Sequence, residues 1–549
     1  MRLVLFLAVI AAACDGYRIL VFSPTISRSH MISNGRIADE LAKAGHEVIL
    51  FEPEFRNVGK SVKSAKHATV YRVGGFTDEV NDRLQLLTAS TFKKDWIPVW
   101  TRYQTFKKFP EAVTRRCEEM LLKADVIEKL RSYKFDLYFG EQLNLCGSAL
   151  SHVLGIKTHF WISSCPIMDH MSHILKIPTP LSYVPAMSPE SMSDKPTYIE
   201  RVTNIFDSWF NTYLFDFANR MTTDLYRKHF GLVGGPCKCN LFLTCREDFP
   251  DVDDIVRESP IIFVTSDEYL DFPRPILNNV VYIGGLGIEK KAAPLSEPFK
   301  SEVKKGKKGV IYFSFGTNVK SNFLPEQFVR NLFAAFAKFP DYRVIFKHES
   351  DDEIAVKLAK NTSNVFITKW APQTDLLSVP EMKVFITHGG YNSLLETAIR
   401  AVPVITMSFF GDQSRNGRLA ERNGWGIPVD KRKLLEGPEV LITALEKVLN
   451  DPTYKEQALR SQKLVTTKPY AAADRLVKYT EFVAANGGRL PELQIEGRHL
   501  SYAQLYNLDI IVPVLCIFVF FCFLLVKLVC RALFSVVSMI VRVKKNKTE

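Results

Sequence analysis

The chain has 549 residues, enough for two or three domains of ordinary size. Hydrophobic residues make up 47% and charged residues 24% of it, which excludes an intrinsically disordered chain. The formal net charge is +12, but half of this excess lies in Arg2 and in the segment from Lys527 to the end. The other half is spread along the chain. A nucleic-acid-binding face needs clustered basic residues, so we expect no nucleic acid partner.

The first residues have the pattern of a secretory signal. Arg2 is followed by an apolar run over residues 3–13 and by small residues up to Gly16. A short positive start, an apolar stretch and small residues before the cleavage point are typical of a signal peptide. A buried first strand is the alternative, but residues 17–22 already fit that role. We predict a cleaved signal peptide over residues 1–16.

The next segment alternates strand and helix. Residues 17–22 and 47–51 have β-strand character, and residues 31–44 between them have helical character. A strand, a helix and a strand in this order imply a parallel sheet. Residues 135–139 are predicted as a later strand of the same sheet. We predict a first α/β domain over residues 17–285.

Two titratable side chains follow strands of this first domain. His30 lies between the first predicted strand and helix, where it would face a cleft at the carboxyl end of the sheet. An imidazole titrates near neutral pH, as a general base should. Glu141 lies two residues after the strand over residues 135–139. From the residues alone, a histidine in a surface loop is the simpler interpretation of His30.

The middle of the chain is less regular. Residues 178–250 carry interspersed aromatic side chains, which predicts a helical insertion with an apolar surface. A linker is predicted from Phe272 to Gly285. Six cysteines lie in the body of the chain, all in its first half, and their spacing does not assign a disulfide.

A second α/β series follows the linker. Strands are predicted over residues 309–315, 343–347, 365–367, 384–387 and 404–407, with helices over residues 325–339 and from about Asn392. We predict a second domain over residues 286–490. Two parallel-sheet domains that face each other place a ligand cleft at the carboxyl ends of their strands.

One predicted strand ends in a candidate diphosphate site. Gly389 and Gly390 follow the strand over residues 384–387 and precede a helix. Glycines let a backbone approach a ligand closely, and a helix start offers unpaired N–H groups and a positive dipole end. A tight turn with Ser393 as helix cap is the simpler interpretation of an isolated glycine pair. The side chains that can add donors or acceptors here are His388, Asn392, Ser393 and Glu396.

The residues on either side of this turn favour a nucleotide-sugar site. Upstream, Trp370 and Gln373 offer a flat aromatic ring and an amide, which suit a nucleobase. Downstream, after another predicted strand, Asp412 and Gln413 offer a carboxylate and an amide that suit sugar hydroxyls. Glu396, one helical turn after Asn392, could accept both hydroxyls of a ribose.

A long apolar run lies near the C-terminus. Residues 510–526 and 528–530, with Lys527 reaching toward the headgroups, give about 20 residues, enough to span a bilayer. Basic residues follow, which places the tail on the cytoplasmic side. We predict a transmembrane helix over residues 509–530 and a basic cytoplasmic tail over residues 531–549, a single-pass type I topology.

Two short motifs refine the location. Lys545 and Lys547, fifth and third from the end, resemble a dilysine retrieval signal of the endoplasmic reticulum, with a solvated basic tail as the alternative. Asn361 begins an Asn-Thr-Ser glycosylation sequon. We predict a protein of the endoplasmic reticulum membrane with luminal domains that are glycosylated at Asn361.

Residues 370–413, continuing to about Gly426, resemble the signature of the UDP-glycosyltransferases, in particular the membrane-bound UDP-glucuronosyltransferases of animals. The resemblance implies the GT-B fold, which is two Rossmann-like domains facing a cleft, together with one C-terminal transmembrane helix. It implies inverting transfer of a sugar, most of all glucuronic acid, from a UDP-sugar to a hydroxyl of a small lipophilic acceptor. UDP-glucuronate or UDP-glucose would be the co-substrate, with no bound cofactor and no metal in the chemistry.

The same resemblance implies a role for each candidate residue. His30 occupies the place of the family's catalytic histidine, and Glu141 falls where the family has an aspartate, whose side chain is one methylene shorter. A second phosphate-side loop is expected at Ser314, Gly316 and Thr317. The other donor residues are Trp370 on uracil, Gln373 on the base or ribose, His388, Gly389, Gly390, Asn392 and Ser393 on the phosphates, Glu396 on the ribose, and Asp412 and Gln413 on the sugar.

There are three alternative interpretations. The first, a Rossmann-fold oxidoreductase with a membrane anchor, is disfavoured, because it would need Gly-x-Gly-x-x-Gly after the first strand and residues 23–35 lack that motif. A non-catalytic luminal binding protein stays open because of the glutamate at position 141. A glucosyl donor also stays open, with Arg415 and Lys347 as candidate partners for a glucuronate carboxylate. The sequence assigns neither the acceptor nor a homo-oligomeric state.

Overall fold

The computed structural model of this chain describes residues 16–58, 62–76, 78–92, 99–231, 249–289, 291–317, 319, 323–348 and 353–545. The predicted signal peptide, apart from Gly16, lies outside the described residues, and so does Lys547. The chain forms two compact units, Met1–Gln494 and Ile495–Glu549.

The first unit contains two parallel β-sheets. The strands of the first sheet are β1 (Arg18–Phe22), β2 (Glu47–Pro53), β3 (Thr69–Val73), β4 (Leu137–Glu141), β5 (Thr158–Ser163), β6 (Ile262–Val264) and β7 (Val280–Tyr282). They lie in the order β3-β2-β1-β4-β5-β6-β7. Ile19, Leu20 and Val21 of β1 are all fully buried. An unbroken apolar strand of this kind is typical of a parallel sheet that is covered on both faces.

Helices connect these strands. They are α1 (Arg28–Lys43), α2 (Glu79–Ser90), α3 (Val99–Phe106), α4 (Lys108–Leu121), α5 (Ala124–Ser132), α6 (Cys146–Val153), α7 (Asp169–Leu175), α8 (Tyr198–Phe230) and α9 (Val252–Arg257). A disulfide joins Cys117 of α4 to Cys146 at the start of α6. This bond ties the segment after β4 to the helical layer.

The second sheet consists of β8 (Gly309–Ser314), β9 (Tyr342–Lys347), β10 (Val365–Thr368), β11 (Met382–Thr387), β12 (Val404–Thr406) and β13 (Gly426–Pro428). Their order is β10-β9-β8-β11-β12-β13. The helices of this half are α10 (Phe299–Val303), α11 (Glu326–Ala337), α12 (Glu353–Asn361), α13 (Gln373–Leu376), α14 (Tyr391–Arg400), α15 (Gln413–Arg422), α16 (Glu439–Asn450), α17 (Thr453–Thr466) and α18 (Ala472–Ala485).

Helix α18 packs on the other half of the unit. Leu476 and Val483 belong to the apolar core of the first sheet, together with Ile19 of β1. The second predicted domain, residues 286–490, therefore ends in a helix that stabilises the first sheet. Sequence periodicity identifies a helix but not the sheet on which it packs.

The predicted insertion over residues 178–250 contains one long helix. Helix α8 has 33 residues and begins with a capping box, in which Thr197 and Glu200 bond each other's backbone N–H groups. Its aromatic side chains do not share one environment: Trp209 and Tyr213 are exposed, whereas Phe210 is buried. The predicted apolar surface is thus present on part of the helix.

The second unit contains a short helix, α19 (Tyr502–Leu505), and the long helix α20 (Leu508–Lys545). Residues Leu508–Arg542 have a mean hydropathy of 2.9 in their most apolar window, and the helix is long and apolar enough to cross a membrane. The helix extends beyond the predicted span of residues 509–530, because residues 531–545 contain neither glycine nor proline to end it.

Candidate active site

Three neighbouring strands of the first sheet present polar side chains at their carboxyl ends. Strands β1, β4 and β5 are adjacent, and His30 follows β1, Glu141 ends β4 and Ser164 follows β5. Helix α1 begins at Arg28, three residues earlier than predicted, so that His30 lies in its first turn rather than in a preceding loop. The surface-loop alternative for His30 is wrong.

These three side chains form one hydrogen-bonded cluster. His30 Nδ1 lies 3.0 Å from Glu141 Oε1 and 2.7 Å from Ser164 Oγ. The Ser164 hydroxyl also donates to Glu141 Oε1. One fifth of the His30 side chain is exposed, against 5% of Glu141. Glu141, one methylene longer than the expected aspartate, therefore reaches the imidazole. The other ring nitrogen, Nε2, belongs to a partly exposed ring and can face a ligand.

The surroundings of His30 favour its protonated form. Burial lowers the pKa of the imidazole, but the Glu141 carboxylate, by charge and by hydrogen bonding, and the Asp412 carboxylate outweigh this, so the pKa of His30 is raised. Asp412 comes from the half that contains the second sheet. The base candidate of one half is therefore electrostatically coupled to a predicted sugar-binding residue of the other.

The predicted phosphate turn closes around His388. Gly389 has a φ of +87°, and Gly390 is the N-cap of α14. A Cβ at Gly390 would lie 2.6 Å from His388 Nε2, and one at Gly316 would lie 2.7 Å from His388 Cε1. Two glycines from separate loops thus leave the space in which this ring lies. Burial, with a smaller effect of Lys347, lowers the pKa of His388 to about 4, so the ring is neutral at pH 7.

The loop after β8 lies beside this ring. Ser314 is buried, and its hydroxyl accepts a hydrogen bond from the backbone N–H of Gly316, whose φ is +75°. Lys347 Nζ, at the end of β9, donates to Gly316 O at 3.1 Å. Thr317 follows in the same turn and is half-buried. The structure therefore brings the Ser314–Thr317 loop and the His388 turn together.

The predicted base and ribose residues lie next to one another. Gln373 Nε2 donates to Glu396 Oε2 at 2.9 Å and to Ser393 Oγ at 3.3 Å. The other carboxylate oxygen, Glu396 Oε1, lies 3.6 Å from Arg36 Nη2 of helix α1. Trp370 is 66% exposed, so its ring is accessible to a nucleobase.

The predicted sugar residues begin helix α15. Asp412 Oδ2 accepts a hydrogen bond from Asn416 Nδ2 at 2.6 Å. Burial raises the pKa of Asp412, although Asn416 and His30 partly oppose that shift. Gln413 Oε1 accepts from the backbone N–H groups of Phe409 and Phe410. The carbonyl of Gln413 thus holds the preceding loop, and its amide nitrogen is the atom to consider for a ligand.

One candidate partner for a glucuronate carboxylate is otherwise engaged. Arg415 Nη1 lies 2.6 Å from Asp271 Oδ1, and both side chains are buried. Arg415 Nε also donates to Pro185 O. The prediction that Arg415 could bind a donor carboxylate is therefore wrong, because its charge is already neutralised inside the protein.

The structure adds two residues that the sequence did not single out. Ser164 joins the His30 cluster, and Arg36 approaches the Glu396 carboxylate. Ser164 lies 134 positions from His30 and 23 positions from Glu141. Arg36 and Glu396 also lie more than 100 positions apart. A serine directly after a buried strand was the available signal for Ser164, and only the strand order makes it meaningful.

Known families and proteins are similar to this chain in sequence. Residues 18–546 match the family described as UDP-glucoronosyl and UDP-glucosyl transferase. The Caenorhabditis elegans protein ugt-48 is 41% identical over 521 residues, which are 93% of this chain and 94% of that protein. Mouse UDP-glucuronosyltransferase 1A1 is 27% identical over 550 residues, which are 98% of this chain and 95% of that protein.

Solved glycosyltransferase structures share the fold. The glycosyltransferase of kitacinnamycin has a TM-score of 0.55 at 15% identity, over 86% of this chain and 99% of its own. The spinosyn rhamnosyltransferase SpnG, complexed with thymidine diphosphate, has a TM-score of 0.53 at 15% identity, over 84% and 100%. These likenesses show the predicted GT-B arrangement of two α/β domains. Since the family match covers nearly the whole sequence, the chain belongs to the UDP-glucuronosyl and UDP-glucosyl transferase family and is a glycosyltransferase that uses a UDP-sugar.

Proposed function

We propose that this enzyme transfers glucuronic acid from UDP-glucuronate to a hydroxyl of a small lipophilic acceptor, with inversion at C1. One contact supports sugar transfer at the cleft between the two halves most directly. Asn392 Nδ2, at the start of α14, donates to Ser29 O at 3.2 Å, and Ser29 precedes His30. The residue next to the candidate base thus bonds directly to a residue of the candidate phosphate site, across the cleft between the two halves. An acceptor held there would have the base and the sugar carbon within reach.

On this proposal, the start of α14 binds the diphosphate. Its backbone N–H groups and positive dipole end attract phosphate, Asn392 and Ser393 add side-chain donors, and neutral His388 adds one N–H. Trp370 would stack on uracil, Gln373 would bond the base or ribose, and Glu396 would accept the ribose hydroxyls. The loop residues Ser314, Gly316 and Thr317 would face the phosphates from the other side, and Asp412 and the Gln413 amide would bond the sugar.

The chemical step is a displacement at C1 of the sugar. The acceptor oxygen forms a bond to C1 while His30 Nε2 removes its proton, and the bond from C1 to the diphosphate oxygen breaks. UDP leaves with the electron pair of that bond. Glu141 stabilises the imidazolium that forms, and the helix-start donors stabilise the departing diphosphate. The proposal needs no metal ion, so we expect a chelator to leave the rate unchanged.

A glucose donor is the second candidate. The engagement of Arg415 by Asp271 removes one cation that a glucuronate carboxylate would favour. Lys347 remains near the phosphate side, at Gly316 O. The mouse relative is named a UDP-glucuronosyltransferase, which supports the glucuronyl donor. A donor panel with one phenolic acceptor decides between the two sugars.

We also propose an endoplasmic reticulum membrane protein of type I, with acceptor and donor domains over residues 17–285 and 286–490 in the lumen. Helix α20 is apolar enough to span the bilayer, and basic residues lie at its end on the proposed cytoplasmic side. Asn361 is exposed at the end of α12, so a glycan can reach it. Protease added to sealed microsomes should remove only the tail, and a glycosidase should increase gel mobility unless Asn361 is replaced.

The direct test is turnover by the full-length chain in detergent. UDP release should depend on both donor and acceptor, and His30→Ala should lower kcat by a factor of about 100 or more with little change in the donor KM. The matched control is His229→Ala, because His229 also pairs with a glutamate, Glu118 of α4, but is not part of the His30 cluster. Near-normal turnover by His30→Ala contradicts the mechanism. Binding of UDP without any release from a UDP-sugar would instead support a non-catalytic binding protein.

A further inference from the structure

We propose that Ser164 is a positioning residue for His30, and that Ser164 and Glu141 together fix the tautomer of its imidazole. The proposal rests on the base role of His30 given above. Ser164 follows β5 directly, and its neighbour strand β4 ends at Glu141. Both residues are buried. The backbone of two adjacent strands therefore holds them in place beside the ring.

Proton counting at Nδ1 gives the role. A serine hydroxyl has one hydrogen and two acceptor lone pairs. Its hydrogen is directed to Glu141 Oε1, so its oxygen, 2.7 Å from His30 Nδ1, can only accept from the ring. Glu141 Oε1, 3.0 Å from the same nitrogen, is also an acceptor. Nδ1 must therefore carry the hydrogen, which leaves the lone pair on Nε2 for the acceptor proton.

The same geometry excludes a nucleophilic role for Ser164. In a serine–histidine–acid relay, the serine and the acid bond opposite nitrogens of the ring. Here both Ser164 and Glu141 lie at Nδ1, which carries the hydrogen, so His30 has no lone pair facing Ser164 with which to remove its proton. Ser164 thus acts through His30 and does not react itself.

The chain offers a physical reason for this additional contact. A glutamate has one more rotatable bond than an aspartate, so its carboxylate has more freedom to turn away from the imidazole. The Ser164 hydroxyl bonds the oxygen that faces His30 and restricts that freedom. The charged groups that face His30 are Glu141 and Asp412, and Ser164 sets the direction of the nearer one without adding charge.

The test compares Ser164→Ala with Ser164→Thr in the full-length enzyme. We expect Ser164→Ala to lower kcat about tenfold, the scale of one lost positioning contact, while the KM for UDP-glucuronate and the Tm stay near wild type. Ser164→Thr keeps the hydroxyl and should recover most of kcat. The matched control is Ser151→Ala, which removes another buried hydroxyl, one bonded to Ser148 O. It should leave kcat unchanged.

The pH profile of kcat/KM gives a second readout. Ser164→Ala should lower the plateau with little movement of its acidic limb, since no charge is removed. Wild-type kcat in Ser164→Ala, or equal losses in the Ala and Thr variants, would overturn the proposal. If His30→Ala itself is fully active, the proposed function fails. If His30→Ala is inactive and Ser164→Ala fully active, only the role of Ser164 fails.

Discussion

The Arg415 guanidinium lies 2.6 Å from the Asp271 carboxylate, with 1% and 5% of the two side chains exposed. Asp271 lies between β6 and β7 of the first sheet, and Arg415 lies in α15 of the second half. Helix α15 begins at the predicted sugar residues Asp412 and Gln413. This ion pair therefore attaches the helix that begins at the proposed sugar residues to the half that contains the first sheet.

Removal of one partner of this pair should be strongly destabilising. Arg415→Met leaves the Asp271 carboxylate buried without its ion-pair partner, which costs about 3–5 kcal/mol of unfolding free energy. The double variant Arg415→Met/Asp271→Leu should recover much of that loss. As a control, Arg330→Ala removes an exposed pair with Glu326 and should cost less than about 1 kcal/mol. Denaturant unfolding measures all three, and equal stability of Arg415→Met and Arg330→Ala would contradict the expectation.

The His30 cluster predicts the pH dependence of the reaction. A general base acts in its neutral form, and the pKa of His30 is raised above 6.5, so kcat/KM should rise with pH through a value above 6.5. Glu141→Gln removes the main cause of that raised pKa and leaves burial, which lowers it. The acidic limb should then move to lower pH while the plateau falls, because the imidazolium loses its stabilising charge. If Glu141 had no such role, the wild type and Glu141→Gln would show the same acidic limb in rates measured from pH 5 to 9.

Several features of this fold follow from local sequence. Buried runs such as Ile19–Leu20–Val21 predict strands because both faces of a parallel sheet are apolar. The turn around His388 is predictable because a buried strand, two glycines and a helix start follow one another directly in the sequence. Helix α1 begins three residues before its predicted start, because hydrophobic spacing alone does not locate a helix start that follows Ser27.

Other features depend on the order of strands, which the sequence does not state. Ser164 reaches His30 across 134 positions because β5 lies next to β4 and β4 next to β1. Arg36 and Glu396 meet only because the two halves close on each other. Arg415 looked available as a ligand cation because its partner, Asp271, lies 144 positions away.

The packing of His388 against two glycines gives a sharp prediction for Gly390. Its φ of −61° is ordinary, so Gly390→Ala strains no backbone, but the new Cβ would lie 2.6 Å from His388 Nε2. The ring must move, and UDP affinity should fall about tenfold or more, which corresponds to about 1.4 kcal/mol. Calorimetric titration with UDP measures this change.

Gly45→Ala is the matched control for that variant. Gly45 has a φ of +97°, and a Cβ there would meet no atom within 4 Å. The substitution should lower stability by about 1–2 kcal/mol through backbone strain and leave UDP affinity unchanged. If both variants lost UDP affinity equally, a general loss of stability rather than the ring contact would be the cause.

The two oxygens of Glu396 have different partners, and this carboxylate offers a test of the proposed ribose site. Gln373 Nε2 donates to Oε2, and Arg36 Nη2 lies 3.6 Å from Oε1. Glu396→Gln should weaken UDP binding about tenfold, because the carboxylate accepts from ribose hydroxyls more strongly than an amide does. For 2′-deoxyuridine diphosphate, the same substitution should lower the affinity less, since one hydroxyl is already missing.

Two variants of helix α1 accompany this test. Arg36→Ala should show the same pattern more weakly, and Lys43→Ala, on the same helix and paired with Glu40, should show none. Equal losses of affinity for both nucleotides in Glu396→Gln would place the ribose away from this carboxylate.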